Sequence, residues 1–264
     1  MDTSSTTDHL TCVGIQSELS DFWDPIQVHV LEQVTSTNIL AKQAIAGDVR
    51  NYLFVAESQT SGRGRRGRSF YSPKGAGLYF SLAFPWDREE TPVLVTTMAA
   101  VAVCRVLERE LGVDASIKWV NDLLIDGRKI CGILTEAVMD RETSHVGSVV
   151  VGIGLNLVQP DDGYPKEIQE IAGAVTDGTI AVNRNQMVAQ IINEIGAIIE
   201  EFPDRGYLDE YRRRCLILGR EVELDSGKRI IPLEITDDGA LLYREDGEWV
   251  VIDSGEISVV GFSR

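Results

Sequence analysis

The chain has 264 residues, a net charge of −16 and 44% hydrophobic residues, which fits one large globular domain with a small appendix. Its acid excess repels phosphate backbones, which disfavours general nucleic-acid binding unless charge is locally reversed. No apolar run reaches the ~18 residues that span a bilayer, and the polar start MDTSSTTDHL lacks the basic and apolar stretches of a secretory signal.

Residues 1–25 are expected to form a flexible N-terminal segment. Residues 27–34 (QVHVLEQV) read as a strand, followed by a short helix over about 38–46 that ends at Gly47. A second strand covers 52–57, a glycine- and arginine-rich loop 58–72, and a third strand 77–84. Apolar residues at helical spacing mark a helix over 93–111. Strands follow at about 115–120, 122–126, 129–138 and 146–156, with Asp126-Gly127 as a hairpin turn. Met187, Ile191, Ile195, Ile198 and Phe202 form the apolar stripe of a helix over 186–202, for which Asn185 is a candidate cap. A shorter helix covers 206–215. Beyond Leu218, short alternating strands are broken by Asp-Ser-Gly, Asp-Asp-Gly and Asp-Gly turns, which predicts a small barrel of about five strands. The expected organisation is therefore a catalytic domain over 26–215 and a small β domain over 216–264.

The four cysteines and three histidines are scattered, so a metal knuckle is not expected and the chain reads as reduced and cytoplasmic. The strongest chemical signal is GRGRRGR, Gly62 to Arg68. Arginine presents a planar fork of donors that matches carboxylate and phosphate oxygens, and glycine lets backbone approach a ligand closely. The pattern describes a loop that wraps an anion, mobile when empty and ordered when an anion neutralises it. The competing readings are a solvated basic loop and a nucleic-acid contact like an arginine-glycine tract, though the latter lacks interleaved aromatics for base stacking.

Three weaker signals accompany it. Lys118 opens KWVND inside a largely apolar region, where a lysine needs an anionic partner or a route to water. The strand VVVGIGLNL carries Gly152 and Gly154, which fits a flat ring packed against backbone or, equally, a bulge or a packed helix. Ser36-Thr37-Asn38 sits at a strand–helix junction, as a cap or as hydroxyl donors to a polar ligand. There is no GxxxxGK[ST] phosphate loop.

The ordered series STN, AESQTSGRGRRGR, KWVND, KICGILTE, GIGLNL and a closing GEIS, from Ser36 to Ser258, resembles the biotin–protein ligases. The resemblance implies an α+β catalytic domain with a mixed sheet flanked by helices, as in class II aminoacyl-tRNA synthetases, and an SH3-like C-terminal barrel. It implies biotin and ATP as substrates with Mg2+, and a biotin carboxyl carrier protein as acceptor. It also implies a monomer or homodimer of the class without DNA binding. Ser36, Thr37, Asn38 and Gln59 would then lie at the biotin, with Gly152 and Gly154 beneath its ring. Arg63, Gly64 and Arg65 would close over biotin and the adenylate, with Arg63, Arg65 and Lys118 as the catalytic set. Lys118 would touch the biotin carboxylate and the α-phosphate, while Arg65, Arg68 and Asn156 would serve the nucleotide. The nearest rival, a lipoate–protein ligase or octanoyltransferase, typically carries an RRxSGGG-type loop that this chain lacks. Two positions depart from the family pattern: Val120 stands where proline is usual, and Val260 where arginine is frequent.

Overall fold

The computed structural model describes residues 9–88, 93–140, 142–143, 145–202, 204–253, 255 and 257–259. After a short helix α1 (Cys12–Gln16), the chain forms β1 (Ile26–Val34), α2 (Thr37–Gly47), β2 (Asn51–Gln59) and β3 (Gly77–Pro85). The long helix α3 (Val93–Leu111) is followed by β4 (Ser116–Lys118), β5 (Asp122–Ile125), β6 (Arg128–Met139) and β7 (Val146–Asn156). Helices α4 (Arg184–Glu200) and α5 (Gly206–Arg214) complete the larger unit.

Seven strands make one mixed sheet in the order β1-β2-β3-β7-β6-β5-β4. Only β1 and β2 run parallel, because α2 provides the crossover that a parallel pair requires. Asp126 and Gly127 both have positive φ, which closes the β5–β6 hairpin as expected.

Strand alternation divides the core in two. Leu53, Val55, Val151, Ile153 and Leu155 face the main core, while Tyr52, Phe54 and Val150 face α2 through Ala41 and Ile45. On β7 the residues that share the α2 side by period 2 are Val150, Gly152, Gly154 and Asn156. The other face is covered by α3, on which thirteen residues are buried, with α4 packed beside it.

The expected flexible segment over 1–25 is built differently in its second half. Residues 10–25 strap across α4, and the side chains of that helix hold the strap by its backbone. Asn185 accepts from Thr11 N at 2.8 Å and donates to His9 O at 2.9 Å. Eight residues on, Asn193 accepts from Ser20 N at 2.8 Å and donates to Glu18 O at 2.8 Å. Trp23 is buried and donates from Nε1 to Ile192 O at 3.0 Å. Asn185 is thus a clasp for the strap, and the cap of α4 is Asn183, whose side chain accepts from Gln186 N. The first residue of α4, Arg184, meets Glu57 of β2 in a largely buried two-pronged ion pair at 2.8 and 3.0 Å.

Beyond α5 the described residues form six short strands: β8 (Val222–Leu224), β9 (Arg229–Ile230), β10 (Pro232–Ile235), β11 (Leu241–Glu245), β12 (Glu248–Ile252) and β13 (Ile257–Val259). They make two three-stranded sheets, β10-β11-β12 and β13-β8-β9. Val222, Ile235, Leu241 and Ile257 extend the main core into this unit. Val120 sits buried at the junction, where its carbonyl accepts from the Tyr211 hydroxyl at 3.0 Å. Val260 lies outside the described residues.

Because Trp23 fills a fully enclosed site and satisfies its indole N–H there, Trp23→Ala is expected to cost about 3–5 kcal/mol. Urea unfolding checks this. A loss of only a few tenths of a kcal/mol would mean the strap adds nothing to the fold.

Candidate active site

The arginine-rich segment is a hairpin standing on the sheet. Its base is the Gln59–Ser72 pair, with Gln59 N donating to Ser72 O at 3.0 Å. Higher up, Phe70 N donates to Gly62 O at 2.9 Å and Gly64 N to Arg68 O at 2.8 Å. The tip is a single turn over Arg65–Gly67, where Arg66 adopts φ 54° and ψ 36°. Gly62 is required by close approach: a Cβ there would lie 2.4 Å from Phe70 O.

The hairpin covers a cavity of about 230 Å³. Arg63, Gly64, Arg65 and Arg68 line it from above, Lys118 and Asn121 from the β4–β5 turn, and Asn156 from the end of β7. Gly255 and Ile257 contribute a wall from the small C-terminal unit. Tyr164, Ile168, Ile171 and Ala172 make a more apolar wall. Among the lining residues there are five cations, Arg63, Arg65, Arg68, Lys118 and Lys129, against one carboxylate, Asp122. The local charge is thus the reverse of the chain's −16.

Six of the residues expected from the sequence therefore meet at one cavity: Arg63, Gly64, Arg65, Arg68, Lys118 and Asn156. The others, Ser36, Thr37, Asn38, Gln59, Gly152 and Gly154, form an adjoining polar cluster. Ser36 occupies the cap position of α2 without a side-chain capping bond. The cap comes from β2 instead: Gln59 Oε1 accepts from Thr37 N at 2.9 Å and from its hydroxyl at 3.2 Å. Ser81 on β3 donates its hydroxyl toward Thr37 Oγ1 and Asn38 Oδ1, both at 2.7 Å. Gln59 Nε2 donates to Ser72 Oγ at 2.9 Å, and Ser72 donates to Phe70 O at 3.0 Å, which ties the cluster to the hairpin.

The two glycines of β7 serve close packing, and the protein itself supplies the partners. A Cβ on Gly152 would fall 1.8 Å from Asn38 Oδ1, and one on Gly154 would fall 2.5 Å from the Phe70 ring. Gly132, paired with Gly154 across β6 and β7, completes a bare floor beneath Phe70. Admitting a ligand ring onto Gly154 requires the Phe70 ring to shift.

Sequence reasoning missed several members of this site. Asp122 and Lys129 form an ion pair at 2.7 Å on the cavity wall. Asn121 accepts from Arg65 Nη1 at 3.3 Å and donates to Ile133 O at 3.0 Å, so it steadies the hairpin tip from below. Glu136 receives Lys42 at 3.3 Å, Arg63 at 3.6 Å and Asn38 Nδ2 at 3.2 Å. A signal existed for one of these: Glu136 lies on the same face of β6 as Gly132 by period 2.

The family model described as biotin/lipoate A/B protein ligase matches residues 30–156, the span that builds the sheet and the hairpin. A Mycobacterium tuberculosis protein named biotin–[acetyl-CoA-carboxylase] ligase is 30% identical over 88% of this chain and 88% of its own length. The chain belongs to the biotin–protein ligase family. A Bacillus spizizenii bifunctional ligase/repressor is 43% identical over 48% of this chain, and the match spans only 39% of that relative's length. Among solved structures, the Aquifex aeolicus biotin protein ligase in complex with biotin and ATP superposes with a TM-score of 0.71 at 27% identity, covering 88% of this chain and 97% of that one. The mixed sheet with flanking helices and the small C-terminal β unit are the architecture of this ligase fold.

The contact between Gly152 and Asn38 gives a direct test. Gly152→Ala is expected to unseat the Asn38 carboxamide and cost about 1–3 kcal/mol through overpacking. Thermal unfolding with a crystal structure of the variant checks both parts; an unmoved Asn38 at full stability would contradict the packing described.

Proposed function

We propose that this chain activates biotin with ATP to biotinyl-5′-AMP and transfers the biotinyl group to a lysine of a biotin carboxyl carrier protein. The observation that carries the proposal is the convergence of five cations on one cavity beside a hydroxyl- and amide-rich cluster. In the first step a carboxylate oxygen attacks the α-phosphorus and the bond to the β-phosphate oxygen breaks, releasing pyrophosphate. Both reactants are anions. Two unit charges 4 Å apart repel by about 4 kcal/mol at an effective dielectric constant near 20. Fixed cations offset this and stabilise the further charge that develops in the transition state.

In this reading the ureido ring lies at the Ser36–Thr37–Asn38 end, near Gln59 and over Gly152 and Gly154. Lys118 reaches the biotin carboxylate and the α-phosphate. Arg63 and Arg65 close over the adenylate with Gly64 allowing close backbone approach, and Arg68 and Asn156 serve the nucleotide. For Mg2+, Asp122 is the one carboxylate among the lining residues, and magnesium at phosphate sites takes one or two carboxylates, with phosphate and water supplying the rest. Bound there, the ion would neutralise phosphate charge.

Biotinyl-5′-AMP is a reactive mixed anhydride, so the hairpin also has to keep water out. In the second step the carrier lysine's amine attacks the acyl carbon, the acyl–oxygen bond breaks, AMP leaves and the amine gives up a proton. The name of the M. tuberculosis relative supports a carboxylase carrier as acceptor. All four cysteines are free thiols, which fits a reducing cytoplasm, and no helix among the described residues is long and apolar enough to cross a membrane.

Biotin-dependent exchange between ATP and pyrophosphate tests substrate and reaction together. Exchange is expected in the parent, and Lys118→Ala is expected to lower it at least ~10³-fold with the fold intact. No exchange in the parent, or near-parental exchange in the variant, would refute the corresponding assignment. Arg63→Ala is expected to release the intermediate, seen as biotin on bystander proteins. An adenylate held as long as in the parent would count against closure by the hairpin.

A further inference from the structure

One arginine of the hairpin has no place in the cavity. Arg63, Arg65 and Arg68 line it, but Arg66 does not. Arg66 instead forms the turn at the tip in the left-handed region at φ 54°, a conformation uncommon for a residue with a side chain. Its guanidinium pairs through Nη1 with Asp225 Oδ2. Asp225 belongs to the turn between β8 and β9. That turn is itself fixed, because Leu224 N donates to Lys228 O and Gly227 N to Leu224 O, both at 2.8 Å. The same small sheet carries β13, whose Ile257 lines the cavity.

We propose that Asp225 is a positioning residue for adenylate retention, holding the hairpin shut from the C-terminal unit through Arg66. The tip of the hairpin is then gripped from two sides. Asn121 takes Arg65 from the catalytic sheet, and Asp225 takes Arg66 from the small unit. Neither contact touches the reacting atoms. Each biases the hairpin toward the closed arrangement in which Arg63 and Arg65 lie over the cavity. The small unit thereby becomes part of the device that separates adenylate formation from adenylate loss.

The size of the effect follows from exposure. Arg66 and Asp225 remain 51% and 41% exposed, so the pair is partly screened by water. An exposed ion pair shifts an equilibrium by about two- to five-fold. Release of the adenylate should change by that factor, while its formation, which depends on the cavity cations, should change by less than about two-fold. Molar salt also weakens the hold of the cavity cations on the adenylate, so it should speed release in parent and variant alike, and the two- to five-fold difference between them should shrink as the pair is screened.

The proposal rests on the ligase reading, and the experiment separates the two. The full chain is loaded with biotin and ATP, and pyrophosphate exchange is recorded first; absence of exchange in the parent would overturn the ligase reading itself. With exchange present, transfer of biotin to a bystander amine such as polylysine is measured for Asp225→Ala, Arg66→Ala and the exchanged pair Arg66→Asp with Asp225→Arg. Two- to five-fold faster bystander labelling in both single variants, at unchanged KM for biotin and ATP, and return toward the parent rate in the exchanged pair support the clasp. Parental labelling in Asp225→Ala, or failure of the exchanged pair to recover when both single variants leak and melt at the parent temperature, overturns it.

Discussion

Like charges that crowd one cavity repel one another before any ligand arrives, and the scaffold has to hold them there. Two carboxylates carry much of this task. Asp122 faces Lys129 at 2.7 Å, and Glu136 receives both Arg63 and Lys42. Both acids sit on the central sheet, on β5 and β6, so the counter-charge is rigid while the arginines stand on a hairpin. A rigid anion with a movable cation permits exchange of partners: an arriving carboxylate or phosphate competes for Arg63 without leaving Glu136 bare, because Lys42 and Asn38 remain. That arrangement keeps the empty site folded and leaves it attractive to anions.

Strand alternation supplies the geometry. One face of β6 and β7 must be apolar and large, since it packs on α3; the other must be small, since the hairpin and α2 approach it. The sequence meets both demands in the same residues by period 2, with Ile153 and Leu155 on one side and Gly152 and Gly154 on the other. Helix α2 covers β2, β3 and part of β7, and its N-terminus ends where the glycine floor begins. Gln59 then satisfies the first amide of α2 from a neighbouring strand, so the same contact that caps the helix fixes the base of the hairpin.

Much of this was legible in the chain. The seven strands, the long helix over 93–111 and the change of texture after 218 follow from hydrophobic periodicity and turn residues, which report local structure, whereas their union in one mixed sheet was implied only by the family resemblance. The arginines and Lys118 were legible because cations are rare in an acidic chain and conspicuous in apolar surroundings. What escaped depends on distant pairing. Asn185 and Asn183 look alike as caps, and only the strap nine residues from the N-terminus onward decides that Asn185 is its clasp. Period 2 puts Glu136 on the Gly132 face of β6, but nothing local says that Arg63, Lys42 and Asn38 gather on it, or that Phe70 rests on glycines 62 and 84 positions away along the chain. These are tertiary facts, set by register and crossover.

In the proposed ligase reaction, the transfer step makes an opposite demand on the same hairpin, which would have to exclude water yet admit an amine. No histidine is among the lining residues; His29 is stacked on Phe54 with centroids 4.6 Å apart, away from the cavity wall. The one lining carboxylate, Asp122, is already engaged by Lys129. A mixed anhydride with a phosphate leaving group needs little activation of its attacker, so the limiting requirement is admission of the right amine. Selectivity must then reside in what surrounds the hairpin, and the surfaces adjoining it belong to two units, the catalytic sheet and the small β unit. A carrier that docks across both would meet the hairpin at its tip, where Arg65 and Arg66 are held from either side.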